Sequence, residues 1–174
     1  MCPSEPAAGT FPPVAAEPYP WPFDGRWGAD DTALLLIGLQ AGPIAALGAE
    51  PVLTRAARAA ALAHGAGIAV IATRRAAPAL CAPRGVPATA PDASPERGSP
   101  GWALAPDLPT ARVLDHAGDN AFLGTGLAGR LRAEGRRNLV LAGLATDGAL
   151  HATARAAGDH GFECLTLSDA SAGT

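Results

Sequence analysis

The sequence predicts a single α/β domain whose core is a doubly wound parallel β-sheet flanked by helices. Two observations support this prediction: several short apolar runs lack the alternation of a half-exposed strand, and segments with helical signals separate them. Continuous apolar runs are typical of strands that helices bury on both faces, and strands that alternate with helices form parallel sheets. A chain of 174 residues also suits one domain.

The first half of the chain predicts one βαβ unit and then a long loop. A buried strand is predicted over 32–39, a helix over 51–64 and a second buried strand over 67–73. The helix begins with a proline and is followed by Gly65, which are ordinary start and stop signals. Residues 74–110 contain many prolines and few periodic apolar positions, so we expect an irregular loop of the kind that often binds ligands.

The second half of the chain predicts the remaining elements of the sheet. Strands are predicted over 111–115, 138–143 and 163–167, and helices over 124–134 and 147–160. A glycine follows each predicted helix, as is common at helix ends. The predicted order is therefore β-α-β-loop-β-α-β-α-β, in which ligands bind at the carboxyl ends of the strands.

Composition and the N-terminal segment narrow the class of protein. Residues 1–17 predict a flexible Pro/Ala-rich arm before a domain over 18–174, and the aromatic segment 19–24, which includes Trp21, is expected to pack onto that domain. A net charge of −3 argues against binding to nucleic acid or an anionic membrane. The three scattered cysteines and the lack of a signal peptide or long apolar run predict a reduced, cytoplasmic protein.

Five blocks of the sequence resemble the isochorismatase-like cysteine hydrolases, and most closely the members that cleave amides and ureides. The blocks are PYPWPFDG at 18–25, ALLLIGLQ at 33–40, RGSPGW at 97–102, VLDHAGDNAF at 113–122 and a long block over 139–170. The resemblance implies an isochorismatase-like (Rossmann-like) fold. Family members normally continue past the last block, so we expect a C-terminally short domain. Either its sheet is smaller, or the edge strand is covered in a homo-oligomer or by a related subunit.

The resemblance also implies where the catalytic residues of the family would fall. In the family a Cys at a helix N-terminus attacks the carbonyl, an Asp takes its proton, a Lys supports the charge and backbone amides hold the oxyanion. The Asp position falls on Gly38, the Lys position on His116 and the Cys position on Ala149. The chain contains no Lys at all, and Cys81 and Cys164 lie elsewhere. The covalent mechanism is therefore predicted to be absent, and so is the vinyl ether hydrolysis that relies on the Asp alone.

Polar residues remain at the predicted strand ends. His116 could act as a general acid or base because its ordinary pKa is near neutrality, with Asp119 or Asp147 as its partner. The simpler interpretations are an exposed strand-end His116, a solvated turn at Asp119 and a helix cap at Asp147. Further candidate ligand-binding positions are Gln40, Asn120, Phe122, Ala145, His151 and Trp21.

Two of these positions also have structural interpretations, and the sequence gives no sign of a metal or cofactor. A structural hydrogen bond explains Gln40, and His151 lies one helical turn after Asp147, so the two could pair. Asp115 and His116 are adjacent, which makes a poor chelate without a third ligand, and no metal is predicted.

Two functions stay open at this point. The first is a non-catalytic relative that binds a small ligand or a partner protein. The second is a repurposed enzyme that uses His116 for non-covalent acid/base chemistry on a small carbonyl or ureido-like compound.

Overall fold

The fold is a parallel five-stranded sheet, as the sequence predicts. The computed structural model describes residues 27–76, 95–109 and 112–173. The predicted arm, the aromatic segment with Trp21 and most of the predicted loop lie outside these residues.

The sheet places the first and fourth strands of the chain at its centre. The strands are β1 (Thr32–Ile37), β2 (Ala69–Arg75), β3 (Arg112–His116), β4 (Asn138–Leu144) and β5 (Glu163–Ala172). Their order is β3-β2-β1-β4-β5, and every neighbouring pair is parallel. All strands therefore end at the same edge of the sheet.

Four helices and one 3-10 turn flank the described part of the sheet. The helices are α1 (Ala41–Leu47), α2 (Glu50–Gly65), α3 (Leu127–Ala133) and α4 (Ala149–Asp159), and the 3-10 turn is Pro100–Trp102. The bounds of α2 agree closely with the prediction, whereas α3 and α4 begin three and two residues later than predicted.

Helix α1 is an element that the sequence pattern does not indicate. This helix has seven residues and buries Ile44 as its one buried side chain, so it carries no apolar periodicity that a pattern could reveal. It follows Gln40 directly and has a proline in its first turn. The prediction that strand-like residues continue to Leu39 was wrong because the chain turns away from the sheet after Ile37.

Strand β5 is longer than predicted because its pairing is interrupted and then resumes. Leu141 of β4 lies opposite Thr166, but Gly143 lies opposite Ser171, so residues between these two pairs are displaced from the regular register. The hydroxyl of Ser171 donates a hydrogen bond to the carbonyl of Leu167 at 2.7 Å across this irregular stretch. The predicted strand ended at Leu167, whereas the polar residues that follow return to the sheet.

Each face of the sheet has its own apolar core. Alternate residues of β1 point to opposite faces, and every one of them is buried, which explains the continuous apolar run in the sequence. The core against α2 includes Leu34, Leu36, Val52, Ala56, Ala60 and Val70. The core against α3 and α4 includes Leu35, Ile37, Leu114, Leu127, Leu131, Leu139, Leu141, Ala149 and Leu150. Within the described ranges, no helix is both long and apolar enough to cross a lipid bilayer.

The carboxylate of Asp31 ties together the amino ends of the two central strands. It accepts hydrogen bonds from the backbone N–H of Gly28 (2.8 Å) and from the side chains of Asn138 (3.0 Å), Arg137 (3.1 Å) and Thr32 (3.3 Å). Burial raises the pKa of Asp31, but these hydrogen bonds together hold that pKa below its usual range.

We predict that Asp31→Asn lowers the free energy of unfolding by about 1–2 kcal/mol at pH 7, because hydrogen bonds to a charged group are lost. A depressed pKa stabilises the fold above the unfolded value near 4, and that contribution disappears as the pH falls through the folded value. The loss should therefore shrink below about pH 4. Chemical denaturation across pH measures it, with the exposed neighbour variant Asp30→Asn as the matched control. Equal losses in both variants would contradict the prediction.

Candidate functional site

The carboxyl ends of β1 and β4 meet so closely that glycine is required on both strands. Gly38 follows β1 with a φ of +63°, and a Cβ built there would lie 2.5 Å from the carbonyl oxygen of Leu144. A Cβ on Gly143 of β4 would overlap the backbone of Ile37. The position to which the resemblance assigns an aspartate thus lies where the backbone leaves no room for a side chain.

Helix α4 begins immediately beyond this contact. Its first residue is Ala149, which is 4% exposed and packs in the core under α3 and α4. The carbonyl oxygen of Ala145 accepts hydrogen bonds from the N–H groups of Gly148 (3.0 Å) and Leu150 (3.1 Å). The start of α4 therefore presents a methyl group at the position to which the resemblance assigns a nucleophile.

His116 ends β3 and is buried, so the interpretation of an exposed strand-end histidine was wrong. Its side chain lies in the protein because residue 116 shares a face of β3 with Leu114, and the residue is 4% exposed. The Nδ1 atom lies 2.7 Å from the carbonyl oxygen of Gly118. Since a carbonyl only accepts hydrogen bonds, Nδ1 carries the proton and donates. The Nε2 atom is buried with no hydrogen-bond partner among the described residues.

Burial and charge both act on the His116 ring. Burial lowers the pKa of His116 most strongly, and the Arg75 guanidinium lowers it further. The hydrogen bond to Gly118 and the charges of Asp119 and Asp115 raise the pKa. The net effect is a pKa below the usual value. The ring is therefore neutral at pH 7, with a proton on Nδ1 and a lone pair on Nε2.

Asp119 pairs with an arginine that the sequence analysis did not single out. Arg75 lies opposite His116 in the register of β2 and β3, and its Nη1 atom lies 2.8 Å from Oδ1 of Asp119. On neighbouring positions, Arg74 binds Asp115 through two hydrogen bonds of 2.7 and 3.2 Å. Asp119 thus acts on His116 through its charge while its carboxylate contacts Arg75.

The loop after β3 is held by its own side chains. The Oδ1 atom of Asn120 accepts a hydrogen bond from the N–H of Phe122 at 2.8 Å, which is an Asx turn. Phe122 is 6% exposed and packs against Phe162 with ring centroids 5.8 Å apart. The hydroxyl of Thr153 accepts from the N–H of Ala121 and donates to the carbonyl of Asp119, which fastens the loop to α4.

Gln40 is fully buried and uses its amide to join three segments. Its Nε2 donates to the carbonyl oxygens of Arg75 and Trp102, both at 3.0 Å, and its Oε1 accepts from the N–H of Arg75 at 2.8 Å. The amide therefore links the end of β1 to the end of β2 and to the 3-10 turn.

Asp147 and His116 lie on opposite sides of the site. The carboxylate of Asp147 lies beside Gly173, just after β5, where a Cβ on residue 173 would come within 2.6 Å of Oδ1. His116 ends β3, which is the other edge strand of the sheet. His151 is exposed on α4. The structure therefore brings Asp119, and not Asp147, into the neighbourhood of His116.

Thr73 is a buried polar residue of the site that the sequence analysis missed. It lies in β2 opposite Ile37 and Leu114, is fully buried, and its Oγ1 has no hydrogen-bond partner among the described residues. Its position at the end of the apolar run GIAVIAT was the available signal, because a polar side chain in a strand buried on both faces needs a partner. Within the described ranges, no group of three or more His, Cys, Asp or Glu side chains could hold a metal ion.

Comparison with known proteins gives the family. The model of the isochorismatase domain matches residues 32–174. The chain belongs to the isochorismatase family. This confirms the family resemblance and the isochorismatase-like fold.

The chain is also similar to individual proteins and solved structures. It is 40% identical to the uncharacterized isochorismatase family protein YddQ of Bacillus subtilis over 55 residues, which are 32% of this chain and 31% of that protein. An isochorismatase family protein of Burkholderia thailandensis is 28% identical, with a TM-score of 0.69 over 83% of this chain and 81% of that one. A zinc complex of the pyrazinamidase of Pyrococcus horikoshii is 27% identical, with a TM-score of 0.69 over 82% and 87%.

We predict that Gly38→Ala destabilises this isochorismatase family protein by about 1–3 kcal/mol more than Gly48→Ala does. Both glycines have a positive φ, +63° and +58°, so both variants force Ala into the left-handed region at about 1–2 kcal/mol. Only the Cβ at residue 38 also meets backbone, since nothing lies within 4 Å of a Cβ at residue 48. Urea denaturation measures the difference, and equal losses would show that the backbones of β1 and β4 separate easily.

We predict that the stability of the protein falls as the pH drops below about 6.5, in part because of His116. Its folded pKa lies below the unfolded value, so the unfolded state binds the proton first, and each unit of pH below the unfolded value costs up to about 1.4 kcal/mol until the folded pKa is reached. Denaturation of the wild type and of His116→Gln across pH 4–8 measures this. The variant should have the shallower dependence, and identical slopes would refute the prediction.

Proposed function

We propose that this isochorismatase family protein binds a small molecule at the carboxyl ends of its strands and does not hydrolyse it by the covalent route of the family. The observation that carries the proposal is the contact at Gly38. A Cβ there would lie 2.5 Å from the carbonyl oxygen of Leu144, so the backbone itself leaves no space for a carboxylate that could take a proton.

The proposal is supported by the lack of a thiol nucleophile in the described ranges of the chain. Ala149 begins α4 with a methyl group. Cys164 lies in β5, where its thiol is 3.8 Å from the carbonyl oxygen of Phe162. Burial and the neighbouring Glu163 raise the pKa of this thiol to about 11, so it is protonated at neutral pH and does not supply a thiolate.

The state of His116 supports binding over acid/base chemistry. In catalytic triads a carboxylate accepts the Nδ1 proton of the histidine and stabilises the imidazolium that forms when the ring acts as a base. Here the Nδ1–H group donates a hydrogen bond to the carbonyl oxygen of Gly118. The carboxylate of Asp119 instead contacts Arg75 at 2.8 Å. The ring then serves as a fixed hydrogen-bond acceptor.

The zinc ion of the pyrazinamidase structure has no matching set of ligands among the described residues of this chain. Bound zinc needs three or four His, Cys or carboxylate ligands. The described residues contain no group of three such side chains, so they do not fit a zinc site. No step of the proposed function uses a metal.

A turnover assay tests the proposal. The purified chain is incubated with pyrazinamide, N-carbamoylsarcosine, a ureide and a vinyl ether, and product is followed by mass spectrometry. We expect no product above the buffer rate, and we expect none from Ala149→Cys, because a thiol at residue 149 would still have no carboxylate at residue 38 to accept its proton.

The variants that decide the outcome are His116→Ala and the exposed-site control His151→Ala. Turnover by the wild type that is lost in His116→Ala and kept in His151→Ala would overturn the binding proposal and establish acid/base catalysis by His116. An acyl adduct on any cysteine of the wild type would overturn it in favour of a covalent enzyme.

A further inference from the structure

Two buried side chains beside the site have polar atoms without partners. Thr73 is fully buried and His116 is 4% exposed, and among the described residues nothing bonds to Oγ1 of the first or Nε2 of the second. A buried polar group that stays unpaired costs about 1–3 kcal/mol, so such groups are uncommon and usually have a partner.

These two side chains share one face of the sheet. In the parallel register of β2 and β3, Thr73 lies opposite Leu114 and Arg75 lies opposite His116, so Thr73 and His116 are diagonal neighbours. Neighbouring parallel strands lie about 4.8 Å apart and two residues span about 6.6 Å along a strand, so the two Cα atoms are about 8 Å apart, within reach of a single small molecule. The same face carries Ala149 in its core, while Gly38 beyond β1 adds no side chain.

The hydrogen-bonding character of this pair differs from that of a lysine or arginine. The Nδ1 proton of His116 is committed to the carbonyl oxygen of Gly118, and Nε2 therefore offers a lone pair. The hydroxyl of Thr73 can donate or accept. Burial of the ring, and then the guanidinium of Arg75, lower the pKa of His116, so the ring keeps its acceptor character at neutral pH.

We propose that Nε2 of His116 accepts a hydrogen bond from a ligand that carries an N–H or O–H donor, that Thr73 binds an adjacent polar atom of the same ligand, and that carboxylates are excluded. This assignment rests on the proposed binding function and adds to it the chemical class of the ligand. A carboxylate would set its oxygen lone pairs against the Nε2 lone pair, whereas a primary amide matches Nε2 with its N–H and the Thr73 hydroxyl with its oxygen.

NMR of the full chain labelled with ¹⁵N-histidine tests the assignment at pH 7.5. The probes are acetamide, N,N-dimethylacetamide, which lacks the N–H, and acetate. We expect acetamide to move the Nε2 signal of His116 in a saturable way, and the other two to leave it unmoved at equal concentration. His64, which is exposed and lies 2.8 Å from the carbonyl oxygen of Pro109 through its own Nε2, is the internal control ring. The variant His116→Gln assigns the signal.

The Thr73→Val variant tests the second contact without changing the size of the side chain. Its affinity for acetamide should fall about three- to tenfold, the usual effect of one hydrogen bond. Acetate that binds as well as acetamide, an N,N-dimethylacetamide shift of equal size, or no saturable shift with acetamide would each overturn the assignment. Release of acetate from acetamide in the same sample would instead refute the proposed function, so the two failures are distinguishable.

Discussion

The close approach of β1 and β4 at their carboxyl ends is the constraint on which the site depends. The backbone of Gly38 contacts the carbonyl of Leu144, and Gly143 contacts the backbone of Ile37, so each strand uses a glycine where the other passes. Strand separation in a sheet is fixed by hydrogen bonds, and neither strand can move outward without losing core contacts on both faces. An acidic side chain at residue 38 would therefore need a different backbone path and not merely a different rotamer.

The same constraint decides which polar groups remain to do chemistry. Glycine at residue 38 and alanine at residue 149 supply no polar side chain, so the polar atoms near the strand ends come from other residues, among them Gln40, Thr73, His116 and Asp119. Two of these are already used: Gln40 in three hydrogen bonds to backbone, and Asp119 in its contact with Arg75. Among the described residues, nothing forms a hydrogen bond with Nε2 of His116 or Oγ1 of Thr73, which is why a ligand is assigned to them.

The sequence predicts the helices and strands of the fold better than it predicts the contacts of the site. The apolar run of β1 predicted a strand buried on both faces because alternate residues of it meet two separate cores. The burial of His116 at the end of β3 could not be predicted, since the segment ARVLDH is too short to show which of its residues face inward. The Arg75 to Asp119 contact joins residues 44 positions apart in the chain, and its partners follow from the β2–β3 register, which no local pattern contains.

A histidine at residue 116 offers other hydrogen bonds than the lysine that the resemblance assigns to this position. The resemblance assigns a lysine to residue 116, and an ammonium group can only donate hydrogen bonds and attracts negative charge. A neutral imidazole could donate or accept through Nε2, but the contact between Nδ1 and the carbonyl of Gly118 removes that choice and leaves the lone pair on Nε2. The short return after β3, which brings the carbonyl of Gly118 to the ring, thus makes residue 116 suit hydrogen-bond donors.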